Sequence, residues 1–315
     1  MRLVDFRDIV LEKARRQSLI QGLEVHAHGH CVHVGRISFA CGWCFSKKEM
    51  FQLSVGNQCQ CRANCPSCFF GSCADGQPAP SYRDNLSDLY ALGVHFDWKP
   101  EIFSYNSWGE TLLALAGPEQ GVFLRAAEVL KLIEERHSYK IYKKLYTNGL
   151  LANADTLAVL KDELDITEIR FHPSASMFSE TVYGHMEKAK AMGFVVVVEE
   201  PSLPHHRKQL FEMLPRIEAI GAKHLDICEV EITRNNIQRL HDLFPDGRMY
   251  KNMAYHLYDE GLVYDLIEEV LRRNYTFSVI DCSSDRERFA RSRRDEGLDL
   301  EDLQDVLASP WDSPA

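Results

Sequence analysis

Six short runs rich in β-branched and aromatic residues recur between positions 50 and 280, each followed by a segment of helical period. That alternation confines the chain to an α/β fold built on a parallel sheet. The runs are Phe51–Val55, Glu101–Tyr105, Lys140–Tyr146, Ile166–Phe171, Phe194–Val198 and Lys223–Ile227. Between them, Phe123, Ala126, Ala127, Leu130 and Ile133 share one helical face, as do Leu157, Leu160 and Leu164, and then Leu210, Leu214 and Ile217. The unbroken Val195–Val198 block fits a strand covered on both sides. Six βα units are too few to close an eight-fold barrel.

Eight of the ten cysteines fall between Cys31 and Cys73. Three of them form Cys61-Arg-Ala-Asn-Cys65-Pro-Ser-Cys68, directly after the first run. Thiolates at this spacing can wrap a 4Fe-4S cube and leave its fourth iron without a protein ligand. The second run leads into Asn106-Ser-Trp-Gly-Glu-Thr111, the third into Leu145-Tyr-Thr-Asn-Gly149, the fourth into Phe171-His-Pro-Ser-Ala-Ser176, and the fifth into Glu199-Glu-Pro-Ser202. An Asn-Gly pair at a strand end supplies a sharp turn, with glycine free to take positive φ and asparagine able to bond local backbone.

These motifs, in this order, resemble the radical S-adenosylmethionine (radical SAM) superfamily, whose signature is Cys-x3-Cys-x2-Cys near the end of a first strand. The resemblance implies a partial (β/α)6 TIM barrel, with a 4Fe-4S cluster on Cys61, Cys65 and Cys68 and S-adenosylmethionine chelated to the open iron. Gly109 and Glu110 match the superfamily's Gly-Gly-Glu-Pro, Trp108 and Thr111 standing at its other two positions. The resemblance implies cofactor contacts from Gly109, Glu110, Asn148, Ser174, Ser176 and Glu199. It also implies one-electron cleavage to a 5′-deoxyadenosyl radical that abstracts hydrogen from a small-molecule or peptide substrate, with a flavodoxin- or ferredoxin-type electron donor. More loosely, the layout resembles an uncharacterised group related to pyruvate formate-lyase activating enzymes. That group has a cysteine pair before the cluster strand, a final Cys-Ser-Ser like Cys282-Ser-Ser284, and a segment like Glu229–Asn235.

Cys41-Gly-Trp-Cys44 is half of a tetrahedral zinc site or of a second iron–sulfur site, and Cys31, Cys59, Cys73 or Cys282, which follows another apolar strand-like run, Tyr275–Ile280, could supply the rest. The alternative is that these thiols pack as small apolar groups. Cys228, at the end of the sixth run, is either core or a hydrogen-atom donor at a strand end. His26, His28 and His30 alternate, so on a strand they would share a face, as a metal site or as solvated surface. Lys140, Lys143 and Lys144 are either a small-anion pocket or a solvated junction.

The expected division is an N-terminal extension over 1–49 with the auxiliary metal site, a partial barrel over 50–282, and a polar C-terminal extension over 283–315. A net charge of −10 with scattered Lys and Arg offers no basic stripe for nucleic acid. Residues 1–20 lack the apolar core of a signal peptide, and no run of eighteen apolar residues follows, which points to a cytoplasmic chain without membrane contact. Ten cysteines in a reducing compartment favour metal or redox chemistry over disulfides. The competing reading is a non-catalytic zinc or iron–sulfur module, in which Cys59, Cys61, Cys65 and Cys68 close a metal knuckle for partner binding or redox sensing.

Overall fold

The structure is a computed structural model that describes residues 1–26, 31–45, 50–55, 61, 63, 65–68, 86–92, 98–107, 110–117, 119–252 and 254–282. Its N-terminal half contains β1 (Arg2–Leu3), α1 (Phe6–Gln17), β2 (Glu24–His26), β3 (Cys31–Val34), α2 (Phe39–Phe45), β4 (Phe51–Val55), α3 (Leu86–Tyr90), β5 (Ile102–Ser107), α4 (Thr111–Leu115), α5 (Gln120–His137) and β6 (Tyr142–Thr147). There follow α6 (Ala154–Asp162), β7 (Glu168–Phe171), α7 (Glu180–Ala191), β8 (Val195–Pro201), α8 (Arg207–Ile220), β9 (His224–Cys228), β10 (Val230–Ile232), α9 (Ile237–Leu243), β11 (Arg248–Asn252), β12 (Ala254–Leu257), α10 (Leu262–Arg273) and β13 (Ser278–Cys282).

Local chemistry sets the helix ends. Asn153 Oδ1 accepts from the Thr156 amide at 3.0 Å and Ser179 Oγ from the Thr181 amide at 3.3 Å, which caps α6 and α7. Helix α8 stops at Gly221, whose φ of 74° lies in the left-handed region that glycine enters without strain. Helix α5 buries Phe123, Ala126, Val129, Leu130 and Ile133, the stripe legible in the sequence.

The main sheet has nine strands in the order β2-β3-β13-β9-β8-β7-β6-β5-β4. The seven from β13 to β4 are all parallel, and the β2–β3 hairpin joins antiparallel to β13. The six expected runs all lie in this sheet, with ends moved by a few residues. The seventh parallel strand comes from the Tyr275–Ile280 run, which enters as Ser278–Cys282 and pairs in register with β9 from His224 to Cys228. Among the described residues the sheet is open, with β2 and β4 at its edges.

The two faces of the sheet differ in chemistry. Leu145, Ile169, Phe171, Val198, Leu225 and Val279 lie in the large core that the helices complete. The alternate positions include Lys144, Glu168, Arg170, Asp226 and Cys228, and α2 lies on their side, with Cys41 against Ile280 and Ala40 against Ile102. Lys143 and Lys144 therefore point to opposite faces. Lys143 meets Glu134 at 2.7 Å and Asp165 at 2.9 Å, whereas Lys144 donates to the Tyr146 hydroxyl at 2.6 Å, so the three lysines do not form one anion pocket.

A second sheet, β1-β11-β12-β10, was not expected from the sequence. Val230, Ile232, Leu240, Met249, Tyr255 and Leu257 make its own small core. Helix α1 covers it through Ile9, beside Tyr250 and Tyr258. Among the described residues no helix is long and apolar enough to cross a membrane.

Lys13 on α1 reaches Glu229, between β9 and β10, where both side chains are almost completely buried. The Tyr250 hydroxyl also donates to Glu229, and Lys13 and His256 hold its carboxyl below the ordinary range against the cost of burial. Lys13→Ala should therefore cost about 3–5 kcal/mol, because it removes the ammonium that faces a buried carboxylate. Urea unfolding should show most of that loss recovered in Lys13→Met/Glu229→Gln.

Candidate cluster and cofactor site

Three loop thiols converge at the C-terminal edge of the parallel sheet. The Cys68 amide donates to the Cys65 carbonyl at 3.1 Å, closing a tight turn over Pro66 and Ser67. Residues far along the chain pin that turn. Asn236, fully buried, donates its Nδ2 to the Ser67 carbonyl at 3.1 Å, and Arg239 donates to the Cys68 carbonyl at 3.1 Å. Burial, then the charges of Cys68, Cys61 and Glu200, push the Cys65 thiol up to about 12. Burial likewise raises Cys61, which also feels Glu110 and Cys68, while a hydrogen bond with the Asn148 side chain pulls it down. Three cysteine thiols brought together in one loop are the donor set of an iron–sulfur cluster, which takes them as thiolates.

The Gly-Glu and Thr-Asn-Gly motifs prove to be one unit. The Glu110 carboxylate accepts from the Leu112 amide at 3.2 Å, which caps α4, from Thr147 Oγ1 at 2.5 Å, and from the Asn148 amide at 2.8 Å. These three donors do not outweigh its burial, and its pKa lies above the ordinary carboxylate range. A carboxylate has about four lone-pair sites, so roughly one is left for a ligand. Asn148 Oδ1 accepts from the Leu150 amide at 2.9 Å, which frees its Nδ2 for Cys61. Gly149 sits at φ 79°, and a Cβ there would lie 2.7 Å from Val182 and 3.0 Å from Phe171. Only glycine fits this turn.

The next two strand ends complete the rim. The Ser174 amide donates to Glu200 Oε1 at 2.8 Å. Glu200 Oε2 is buried with no hydrogen-bond partner among the described residues. Burial pushes this carboxyl up to about 8. A buried acceptor without a donor, beside Cys65, is what a bound ligand's donor would satisfy.

Comparison with known proteins finds likeness among solved structures alone. No family model matches the chain, and no curated protein matches it. Solved structures do match. One is native anSMEcpe with bound AdoMet, at 13% identity over 73% of this chain and 64% of that one, with a TM-score of 0.49. Another is Streptococcus suis SuiB bound to S-adenosylmethionine, at 12% identity over 62% and 47%, with a TM-score of 0.42. A third is SuiB bound to precursor peptide SuiA, at 10% identity over 81% and 54%, with a TM-score of 0.44. The chain thus spans about half to two-thirds of the length of these structures.

Of the residues that the radical SAM resemblance singles out, the structure brings Cys61, Cys65, Glu110 and Asn148 together, with the Ser174 backbone bound to Glu200. Gly109 lies outside the described residues, as do Cys59, Cys73, His28 and His30. Ser176 donates its hydroxyl to the Pro173 carbonyl of its own turn at 2.9 Å. Glu199 points to the polar face, as adjacent strand residues must diverge, and Glu200 is the one whose charge reaches Cys65. Cys41 is buried, with its Sγ 3.5 Å from Asp226 Oδ2 and 3.2 Å from Arg170 Nη2. The side chains of Cys31 and Cys44 lie outside the described residues. Cys228 sits at the end of β9, its Sγ 3.8 Å from Glu199 Oε1 and 3.9 Å from Asp226 Oδ1.

The polar face itself was missed. Arg170, buried, binds Glu168 at 2.6 Å, Glu199 at 2.8 Å and Asp226 at 3.2 Å. Tyr146 and His172 stack beside it with ring centroids 6.0 Å apart. Lys144 is held below its ordinary pKa by burial and by Arg170. The signal was present in Glu168-Ile-Arg-Phe-His172 and His224-Leu-Asp-Ile-Cys228, where ionisable residues alternate with apolar ones.

Gly149→Ala should lower stability by roughly 2–3 kcal/mol, from the left-handed φ and the close approach to Val182. Thermal unfolding of the full chain would show it.

Proposed function

We propose that the chain is a radical SAM enzyme, its open parallel sheet serving as the partial (β/α)6 barrel. Cys61, Cys65 and Cys68 would hold a 4Fe-4S cluster, and Gly109, Glu110, Asn148, Ser174 and Glu200 would bind S-adenosylmethionine. The observation that carries this reading is the convergence of Cys61 on Glu110 and Asn148 and of Cys65 on Glu200, three residues at the ends of β5, β6 and β8. When bound, the cluster and cofactor supply a one-electron cleavage that yields a hydrogen-abstracting 5′-deoxyadenosyl radical.

The chain's own residues position and enclose. Glu110 holds the ends of β5 and β6 together while keeping one acceptor site for a cationic group. Glu200 offers a second acceptor, Oε2, with its other oxygen fixed by the Ser174 amide. Asn148 steadies Cys61. The buried polar face of Arg170, Glu199, Lys144 and His172 would orient a polar small molecule or a peptide and keep water from it. A flavodoxin- or ferredoxin-type protein is the proposed electron donor.

Anaerobic reconstitution tests this. The expected result is about four iron and four sulfide per chain, with 5′-deoxyadenosine formed from S-adenosylmethionine and dithionite. Cys65→Ala should abolish both. Glu200→Gln should keep the iron but weaken S-adenosylmethionine binding by roughly 10- to 100-fold, the worth of one hydrogen bond to a charged group. Bound zinc with no cleavage would refute the proposal in favour of a binding module.

A further inference from the structure

A second set of metal-ligating side chains lies on the polar face, away from the loop thiols. Cys228 and Cys282 are the last residues of neighbouring parallel strands and pair in register. Asp226 is two residues before Cys228 and pairs with Glu199 on the next strand, so all four side chains share one face. The ligand atoms of Asp226, Cys228 and Cys282 all lie within 4.8 Å of one another.

We infer that Asp226, Cys228 and Cys282 form a binding site for a thiophilic divalent cation, zinc by its donor set, with a fourth position left for a ligand from outside the three. The site is independent of whether Cys61, Cys65 and Cys68 hold a cluster. Ligand atoms around a tetrahedral zinc, at roughly 2.0–2.3 Å from the metal, lie about 3.5–3.8 Å from one another. The Cys228 Sγ is 3.8 Å from Glu199 Oε1 and 3.9 Å from Asp226 Oδ1, within a few tenths of an ångström of those edges.

Arg170 supplies the outer support that metal sites require. Its Nη1 binds Glu199 Oε2 at 2.8 Å and Asp226 Oδ2 at 3.2 Å. Each carboxylate is thereby held by its far oxygen, and its near oxygen is presented to Cys228. A divalent cation would bind here as the two thiols release their protons. Cys41, His224 and Asp226 also come within 4.8 Å, but there Arg170 Nη2 stands 3.2 Å from the Cys41 sulfur and fills the position with a cation. The geometry thus favours the pair at the strand ends over Cys41 and Cys44.

The test uses the full chain in which Cys61, Cys65 and Cys68 are all serine, so that no iron–sulfur cluster contributes. The expected result is about one zinc per chain by mass spectrometry, lost in Cys228→Ser/Cys282→Ser and weakened 10- to 100-fold against a chelator in Arg170→Gln. Cobalt(II) in place of zinc should give a thiolate charge-transfer band that falls by about half in Cys228→Ser or Cys282→Ser alone. That band also decides the matter in the parent chain if the double variant does not fold. Zinc content unchanged by Cys228→Ser/Cys282→Ser, a cobalt spectrum without thiolate bands, or a Cys228–Cys282 disulfide in the metal-free chain would each refute the site.

Discussion

The buried guanidinium of Arg170 is the joint on which the functional face depends. It sits on β7 and reaches Glu168 on its own strand, Glu199 on β8, Asp226 on β9 and both Ser38 and Cys41 by α2. Desolvating a guanidinium costs several kcal/mol, which this geometry offsets only because nearly every N–H donor finds an acceptor. Lysine, with one compact ammonium, could not span the same set. Burial alone would lower the pKa of Arg170, but the surrounding acids raise it well above its ordinary value. The group is a permanent cation around which the acids are arranged.

From that joint the rest of the site follows by strand geometry. Parallel strands in register carry the side chains of one face in layers, so fixing Glu199 and Asp226 also fixes Pro201, Cys228 and Cys282 one layer nearer the C-terminal edge. The same edge carries the Glu110 tie between β5 and β6 and the Ser174–Glu200 tie between β7 and β8. Each tie uses a carboxylate to hold two neighbouring strand ends together through backbone amides. The loop thiols then dock against a rim that is already rigid. Their turn is held from below by Asn236 and Arg239, which belong to the second sheet's side of the molecule. The small sheet therefore supports the loop as well as extending the fold.

What could be read from the sequence and what could not divide along physical lines. The β-rich runs and apolar helical stripes were legible because burial imposes local periods, 2 and 3.6, that survive in one dimension. Phe51–Val55 matched an observed strand residue for residue. The loop motifs were legible because Cys61-x3-Cys65-x2-Cys68 and Thr147-Asn-Gly149 are contiguous. The second sheet was not, since its strands are only two to five residues long and β1 pairs with β11 across more than two hundred residues. Tyr275–Ile280 showed its strand character but not its place beside β9. Glu199 and Glu200 were indistinguishable in sequence, because the phase of alternation at a strand end fixes which of two adjacent carboxylates faces the thiols. The polar face was overlooked for a related reason: charged residues between buried apolar ones read as solvated until the strand is seen to be covered on both sides.

That double covering explains why stability and chemistry can coexist in one sheet. On the helix side, Leu145, Ile169, Val198 and Leu225 supply apolar burial that tolerates no charge. On the other side, α2 closes over side chains that would be unstable singly and are stable only as a network. A network of this kind stores unsatisfied capacity where the cover is thinnest. Here that is the C-terminal edge, where Glu200 keeps an oxygen with no hydrogen-bond partner among the described residues and Cys228 lies partly buried beside two oriented carboxylates. The placement of ligand positions is therefore a consequence of how the sheet is built: the apolar face fixes the register, and the register aligns the acids around Arg170 and Lys144.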